Sequence, residues 1–206
     1  MNKIITIGRQ YGSGGREIGK RVAELCSIPF YDKDLISRAA SDSGFCEELI
    51  ETHDERPTSS FLYNLVMDTY SFGYNAAGLV DMPISQKVFL AQYNAIKKIA
   101  QEGPCVIVGR CADYALAERE DHISVFISGN MECRIKRIME KYDLSSSKAQ
   151  DMIVRKDKQR KSYYNYYSSH KWGMAQTYDL CINSSVLGLD QTAQLIVDFA
   201  NASETK

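Results

Sequence analysis

The chain has 206 residues, of which 44% are hydrophobic, and its 25 Lys and Arg residues nearly balance its 26 Asp and Glu residues. This length and apolar content suit one substantial core, with or without a small inserted cap. The near-neutral charge excludes the broad basic surface that nonspecific nucleic-acid binding needs. No apolar run approaches the roughly 18 residues of a membrane span, and the start lacks the apolar core of a signal peptide. We therefore expect a cytoplasmic protein with neither a nucleic-acid nor a membrane partner.

Six cysteines are scattered along the chain, with no C-x-x-C pair and no metal-like spacing. We expect them to be reduced and mostly buried thiols. The histidines, His53, His122 and His170, share no common spacing, so the sequence predicts no metal site built on them.

The start of the chain predicts a phosphate-binding loop. Residues 4–19, IITIGRQYGSGGREIG, begin with a β-branched apolar run typical of a buried parallel strand. Glycines then permit a tight turn that directs backbone N–H groups at one spot, beside the positive end of the next helix. The matching motif has a lysine after its last glycine, and this lysine is missing here. The residues expected to hold a phosphate are Gly12, Ser13, Gly14, Gly15, Arg16 and Glu17.

Apolar spacing predicts that strands and helices alternate along the rest of the chain. A first helix ends near residue 26, an extended PFYD follows, and a second helix stops near residue 44. Residues 51–85 have poor periodicity, which favours an irregular, partly helical cap or partner surface. The later predicted elements are, in order, a helix at 88–99, the strand CVIVG, a strand at 123–127 with its helix, a helix at 145–164, the strand YDLCINS and a helix at 190–200. This order predicts a parallel sheet covered on both faces, with ligands at the carboxyl ends of its strands.

Polar residues follow two of the predicted strands. Asp32 and Arg38 come after PFY, where the ordinary alternative for Asp32 is a helix N-cap. Gly109 and Arg110 come directly after CVIV, where the ordinary alternative for the arginine is a surface salt bridge. Both groups would face the same crevice as the glycine-rich loop.

A third group is the run RKDKQRKSYYNYY at 155–167. On a helix, Asp157 and Arg160 share a face and Arg155 lies to one side. Residues 134–161 hold ten Lys and Arg residues against four acids, which makes a local basic patch on a neutral chain. A solvated helix is the ordinary alternative, but four tyrosines follow at once. Those rings either pack a lid against the body or stack on a base. Arginines that close over a phosphoryl group are what phosphoryl transfer needs.

Together these motifs resemble the cytidylate kinase-like family, a divergent branch of the nucleoside monophosphate kinases in the P-loop class. The resemblance spans nearly the whole chain and is carried by GSGGREIG, FYDKDLI, VIVGR, FISGNMECRIKRI, RKDKQRKSYYNYY and YDLCINSSVLG. It implies an α/β, three-layer P-loop kinase fold with a helical cap insertion and an arginine-rich lid. It also implies one domain at 1–206, an acceptor-binding cap at 33–85 and a lid segment at 145–172.

The resemblance assigns substrate contacts residue by residue. In cytidylate kinases an Asp after the second strand and an Arg six residues on contact the substrate monophosphate side, and Asp32 and Arg38 match them. Arg110 matches the arginine after the third strand. Asp157 and Arg160 match the lid's Asp-x-x-Arg. The implied activity is transfer of the γ-phosphoryl group of ATP to a CMP-type or dCMP-type acceptor, with Mg²⁺.

The loop departs from this family pattern where the catalytic lysine should be. Gly15 occupies that position, so Arg16 would supply the cation from one residue later and Glu17 would hold magnesium through water. In this scheme Arg16, Arg155 and Arg160 are the catalytic residues.

Two other interpretations of the function stay open from the sequence, together with the role of residues 51–85. The lost lysine is also compatible with a nucleotide-binding or phospholigand-binding module that has little kinase activity. A kinase for another small phosphate acceptor is a second alternative. The apolar, aromatic pieces within 51–85 form either the core of the cap or a homodimer surface. A dinucleotide-binding dehydrogenase is disfavoured, because Glu17 stands where the third glycine of that fingerprint should be.

Overall fold

The sheet holds the strand that precedes the glycine-rich loop at its centre. The computed structural model describes residues 2–32, 34–55 and 82–203. Within them, five parallel strands follow the order β2-β3-β1-β4-β5. The strands are β1 (Ile4–Arg9), β2 (Phe30–Tyr31), β3 (Val106–Val108), β4 (His122–Ser128) and β5 (Leu180–Asn183). The carboxyl ends of β1, β3 and β2 therefore lie side by side, as the sequence predicts for its polar groups.

Helices connect the strands. They are α1 (Gly15–Cys26), α2 (Asp34–Ser43), α3 (Glu47–His53), α4 (Ile84–Glu102), α5 (Ala112–Ala115), α6 (Met131–Tyr142), α7 (Ser146–Tyr167) and α8 (Ser184–Ala202). A short 3₁₀ turn at Ala175–Thr177 precedes β5. Gly188 kinks α8 near its start, with φ 76°.

Helices cover both faces of the sheet, because successive strand residues alternate between two apolar clusters. Ile4 and Ile107 pack with α2, α4 and α5 in one cluster. Ile5 and Val106 pack with α1 and α8 in the other. Burial on both faces explains why these strands are continuous apolar runs rather than alternating ones. The predicted parallel sheet with two helical layers is confirmed.

Several helix bounds differ from those predicted. The helix predicted at 145–164 runs to Tyr167, and the closing helix begins at Ser184 rather than at residue 190. Helices α3 and α5 were not predicted, because both are short. Residues 56–81, the greater part of the poorly periodic segment 51–85 within the predicted cap, lie outside the described residues.

The tyrosines after the basic run belong to the core. Phe89 of α4 stacks on Tyr167 with 4.0 Å between ring centroids, and Tyr163 and Tyr164 are buried beside them. Trp172 packs edge-on against Phe126. Of the two alternatives for these rings, the structure places them in packing of α7 against the body.

The cysteines are only partly as expected. All six are free thiols, but Cys46, Cys133 and Cys181 are exposed, so the expectation of mostly buried thiols is wrong for half of them. Cys133 lies on α6, Cys181 lies on the edge strand β5, and Cys46 immediately precedes α3. Within the described ranges, no helix combines the length and apolar character that crossing a membrane requires.

His122 at the start of β4 makes the fold sensitive to acid. Its Nε2 lies 2.7 Å from the Thr6 hydroxyl, and burial lowers the pKa of His122 from 6.5 to about 4. Between these values the unfolded chain takes up a proton that the folded chain does not, so stability falls as the pH drops through this window. Urea unfolding at about pH 7 and about pH 4.5 should show the native chain losing roughly 2 kcal/mol more than His122→Gln. Equal losses in both chains would contradict this assignment.

Candidate active site

The loop after β1 presents bare backbone to a cavity. Gly12 and Gly14 have φ of 79° and 81°, and Gly14 is the N-cap of α1. Because glycine has no side chain to cap the helix, the first N–H groups of α1 remain available to an anion. A Cβ on Gly14 would lie 2.4 Å from Leu189 Cδ2, and one on Gly15 would lie 2.6 Å from Arg9 Cβ. Larger residues at these positions would therefore disrupt the loop.

Side chains from α6 and α7 hold this loop in place. Asp157 accepts a hydrogen bond of 2.7 Å from the Tyr11 N–H, and its second oxygen accepts from Arg134. Arg134 also donates to the Tyr11 carbonyl at 2.7 Å, and Arg137 donates to the Gly12 carbonyl at 2.6 Å. Both oxygens of Asp157 are thus engaged within the chain. Its predicted contact with a substrate stays a prediction, and the contact that the structure gives it is with the loop.

The loop forms one wall of a cavity of about 920 Å³ at the carboxyl edge of the sheet. Seven cationic and five acidic side chains line it among the described residues. The cationic ones are Arg9, Arg16, Arg110, Arg137, Lys141, Lys156 and Arg160, and the acidic ones are Glu17, Asp32, Glu51, Asp54 and Glu55. This balance of charge suits an anionic ligand with more than one phosphate group.

Arg110 is the buried centre of the charged network, with a side chain only 4% exposed. Its Nε and Nη2 donate to the two oxygens of Asp54 at 3.0 and 2.9 Å. Its Nη1 donates to Asp32 and to the Val108 carbonyl, both at 3.2 Å. Burial lowers the pKa of Arg110, but Asp54 and its neighbouring carboxylates outweigh burial and raise it overall. The guanidinium is therefore permanently charged and fixed in direction.

Asp32 joins this network to the helix that follows the loop. Arg16 donates through Nε to Asp32 at 2.5 Å, and its side chain is 54% exposed. Burial raises the pKa of Asp32, but the charges of Arg110 and Arg16 outweigh burial and leave the pKa below its ordinary value. Asp32 is thus an anion that orients two arginines. The Nη groups of Arg16 take no part in this contact, which leaves them able to reach a phosphate at the loop.

Arg160 reaches the cavity from α7. Its Nη1 donates to the Arg9 carbonyl at 3.2 Å, its Nε donates to Glu55 at 3.3 Å, and its guanidinium lies 5.3 Å from the ring centre of Tyr11. Burial, followed by the charge of Arg9, lowers the pKa of Arg160 to about 10. It still carries a full charge at neutral pH, as the sequence analysis requires.

Four predicted site residues do not line this cavity in the described structure: Ser13, Asp157, Arg38 and Arg155. The buried Ser13 hydroxyl donates to the Gln10 carbonyl at 2.9 Å. Arg38 pairs with Glu102 at the end of α4, and both side chains are 40% or more exposed. Arg155 is exposed on α7, outside the cavity lining. The roles predicted for them stay predictions.

Four cationic side chains that line the cavity were not predicted as site residues. These are Arg9, Arg137, Lys141 and Lys156. Arg137 and Lys141 lie four residues apart on α6, which places them on one helix face, and that spacing was a readable signal. No pattern in the sequence marks Arg9 as a site residue, because it ends an apolar strand. No pattern marks the carboxylates Asp54 and Glu55 either.

Glu17 is the described carboxylate that best fits magnesium. It lies in the first turn of α1, lines the cavity, and its carboxylate is 3.8 Å from Lys141 in a half-exposed pair. Magnesium commonly takes one or two carboxylates and completes its shell with water and substrate phosphates. A single half-exposed carboxylate beside the loop fits that pattern. Among the described residues, no cluster of three His, Cys, Asp or Glu side chains could hold a metal without a substrate.

Comparison with known proteins agrees with this geometry. Residues 4–186 match the cytidylate kinase-like family. The chain belongs to that family. It is 24% identical over 199 residues to a cytidylate kinase from Staphylothermus marinus, with 95% of each chain covered. The resemblance stated from the sequence motifs is therefore confirmed.

Solved structures agree on the fold of this cytidylate kinase-like protein. The crystal structure of an uncharacterized protein from Eubacterium ventriosum is 30% identical, with a TM-score of 0.71 over 97% of this chain and 98% of that one. Shikimate kinase from Bacteroides thetaiotaomicron is 13% identical, with a TM-score of 0.53 over 98% and 99%. The fold is the three-layer α/β fold of the P-loop kinases, as predicted.

Removing the Asp157 carboxylate should destabilise the whole loop region. Asp157→Ala leaves the buried Arg134 without its anion and the Tyr11 N–H without its acceptor, which should cost about 3 kcal/mol of unfolding free energy. Asp151→Ala, on an exposed turn of the same helix, should change it by less than about 0.5 kcal/mol. Urea unfolding of the two variants measures this difference. Similar small losses in both would contradict the role given to Asp157.

Proposed function

We propose that this cytidylate kinase-like protein is an ATP-dependent kinase that transfers the γ-phosphoryl group to a nucleoside monophosphate of the CMP or dCMP type. One observation carries the proposal: the uncapped glycine loop and seven cationic side chains line the same cavity at the carboxyl edge of the sheet. Membership of the family supports a nucleotide kinase, and the similarity to a cytidylate kinase from Staphylothermus marinus supports cytidylate as the acceptor.

The loop amides from Gly12 to Arg16 would hold the phosphates of ATP. Arg16 would replace the missing lysine, since its exposed guanidinium begins in the first turn of α1 and is oriented by Asp32. Arg137 would add a second cation, because its Nη1 already lies on the Gly12 carbonyl. Magnesium, held by Glu17 and the phosphates, would neutralise charge on the transferring group.

The acceptor would bind on the side of Asp32 and Arg110. An ionised acceptor phosphate needs no general base, so the protein has to supply position and positive charge rather than proton transfer. Arg160, which lines the cavity and donates to Glu55 and to the Arg9 carbonyl, would stabilise the charge that spreads over the equatorial oxygens. Arg38 and Arg155 would join only by leaving their present positions. For Arg38 this costs little, because its pair with Glu102 is exposed.

Loss of the Arg16 cation should lower turnover strongly. With Mg-ATP and a panel of CMP, dCMP, UMP, AMP and GMP, coupled ADP release should show one preferred monophosphate, and Arg16→Ala should reduce kcat by about 100-fold. Arg21→Ala is the matched control, since Arg21 lies on the same helix and pairs with Asp190 outside the cavity. It should retain native turnover.

The panel separates the alternatives. Turnover on none of the five monophosphates, with ATP still bound, would contradict the nucleoside monophosphate kinase and favour a binding module or another acceptor. Native turnover in Arg16→Ala would keep the kinase and overturn the relocated cation.

A further inference from the structure

The Glu55 carboxylate is surrounded by hydrogen-bond donors, as a bound anion would be. Its Oε1 accepts from Arg9 Nη1 at 2.7 Å and from the Arg110 N–H at 3.3 Å. Its Oε2 accepts from Arg160 Nε at 3.3 Å. The Glu55, Arg9 and Arg160 side chains are 14%, 11% and 15% exposed. Two guanidinium groups and a backbone amide thus converge on one carboxylate that lines the cavity.

The backbone at the end of β3 is shaped for this anion. Gly109, Arg110 and Cys111 have φ of 79°, 55° and 54°, so three successive residues adopt the left-handed conformation. In this turn the Arg110 N–H donates to Glu55, whereas the Gly109 N–H donates to the Ile7 carbonyl. A Cβ on Gly109 would lie 2.6 Å from Glu55 Oε1, so glycine is required for the close approach.

One carboxylate compensates two arginines only partly. Burial opposes ionisation of Glu55, but Arg9 and Arg160 outweigh it and hold its pKa below the ordinary range. The Arg160 pKa is nevertheless lowered, by burial and by repulsion from Arg9. A phosphate dianion carries twice the charge and more acceptor oxygens, and guanidinium forks match it well. The same donors would therefore bind phosphate more strongly than they bind Glu55.

Glu55 is also held by a segment that can yield. It has φ 51°, which is unfavourable for a residue other than glycine. It follows α3, in which Ile50 is the buried residue. Asp54, the preceding residue, stays paired with Arg110, so release needs movement of only the Glu55 side chain and its strained turn.

We propose that Arg9, Arg160 and the Arg110 N–H form a phosphate subsite that Glu55 fills in the free chain and that a ligand phosphate takes over. Identification of that ligand as a nucleotide rests on the proposed function, whereas the subsite itself does not. Glu55 then acts as an internal anion that keeps the two arginines together until substrate arrives.

Glu55→Gln tests this with inorganic phosphate as the probe in isothermal titration calorimetry. Removing the competing charge should tighten phosphate binding about tenfold, which is about 1.4 kcal/mol. Glu48→Gln is the matched control, because it removes an equal charge from an exposed position on α3 and should leave phosphate affinity unchanged. Adding Arg9→Gln to Glu55→Gln should abolish the gain.

The sign of the effect separates a competing anion from a structural strut. If Glu55 only braces Arg9 and Arg160, Glu55→Gln will bind phosphate no better or more weakly than the native chain, which overturns the proposal. An equal gain in Glu48→Gln overturns it too, since any lost charge would then suffice.

A second measurement uses the native chain and does not depend on the folding of a variant. Saturating phosphate should speed amide hydrogen exchange at Glu55 and its immediate neighbours, because the carboxylate that ties this turn to Arg9 and Arg160 is released. Unchanged or slower exchange there would overturn the displacement. Neither experiment needs ATP or turnover, so failure of the proposed kinase activity leaves both results interpretable.

Discussion

Burial of the Arg110 guanidinium at the end of β3 is the constraint on which the site depends. A buried charge that loses its partner costs several kcal/mol, so Asp54 and Asp32 must accompany it. Asp32 then orients Arg16, and the Arg110 N–H donates to Glu55, the neighbour of Asp54. Seven charged residues of the cavity therefore form one connected network, in which Asp32 and Glu55 each contact more than one arginine. They are Arg9, Arg16, Asp32, Asp54, Glu55, Arg110 and Arg160.

This network supports the proposal of a phosphate-binding loop that lacks the lysine. A lysine would deliver a point charge from within the loop, whereas Arg16, in its proposed role, needs an external anchor because its planar fork must be turned toward the ligand. Asp32 provides that anchor at 2.5 Å. Arg137 and Arg160 bring further charge from α6 and α7. The loop itself contributes backbone N–H groups, which are present whatever residue occupies the lysine position.

The fold was largely predictable, and the site only partly so. Strands such as β3 can be recognised in the sequence, because burial on both faces requires a continuous run of apolar residues. The glycine loop and Arg110 were also readable, since parallel strands place their carboxyl ends together. The partners of these residues were not. Asp157 carries the pattern of a lid residue and yet bonds the loop, and Glu55 meets Arg9 across 46 positions that show no periodicity linking them. Pairings of this kind depend on tertiary packing.

Amide chemical shifts of the loop test most directly whether its N–H groups bind nucleotide phosphates, as proposed. A magnesium complex of a non-hydrolysable ATP analogue should shift the amide resonances of Gly14, Gly15 and Arg16, and adenosine, which lacks phosphates, should leave them in place. Loop amides that stay unmoved while the analogue binds elsewhere would contradict the account.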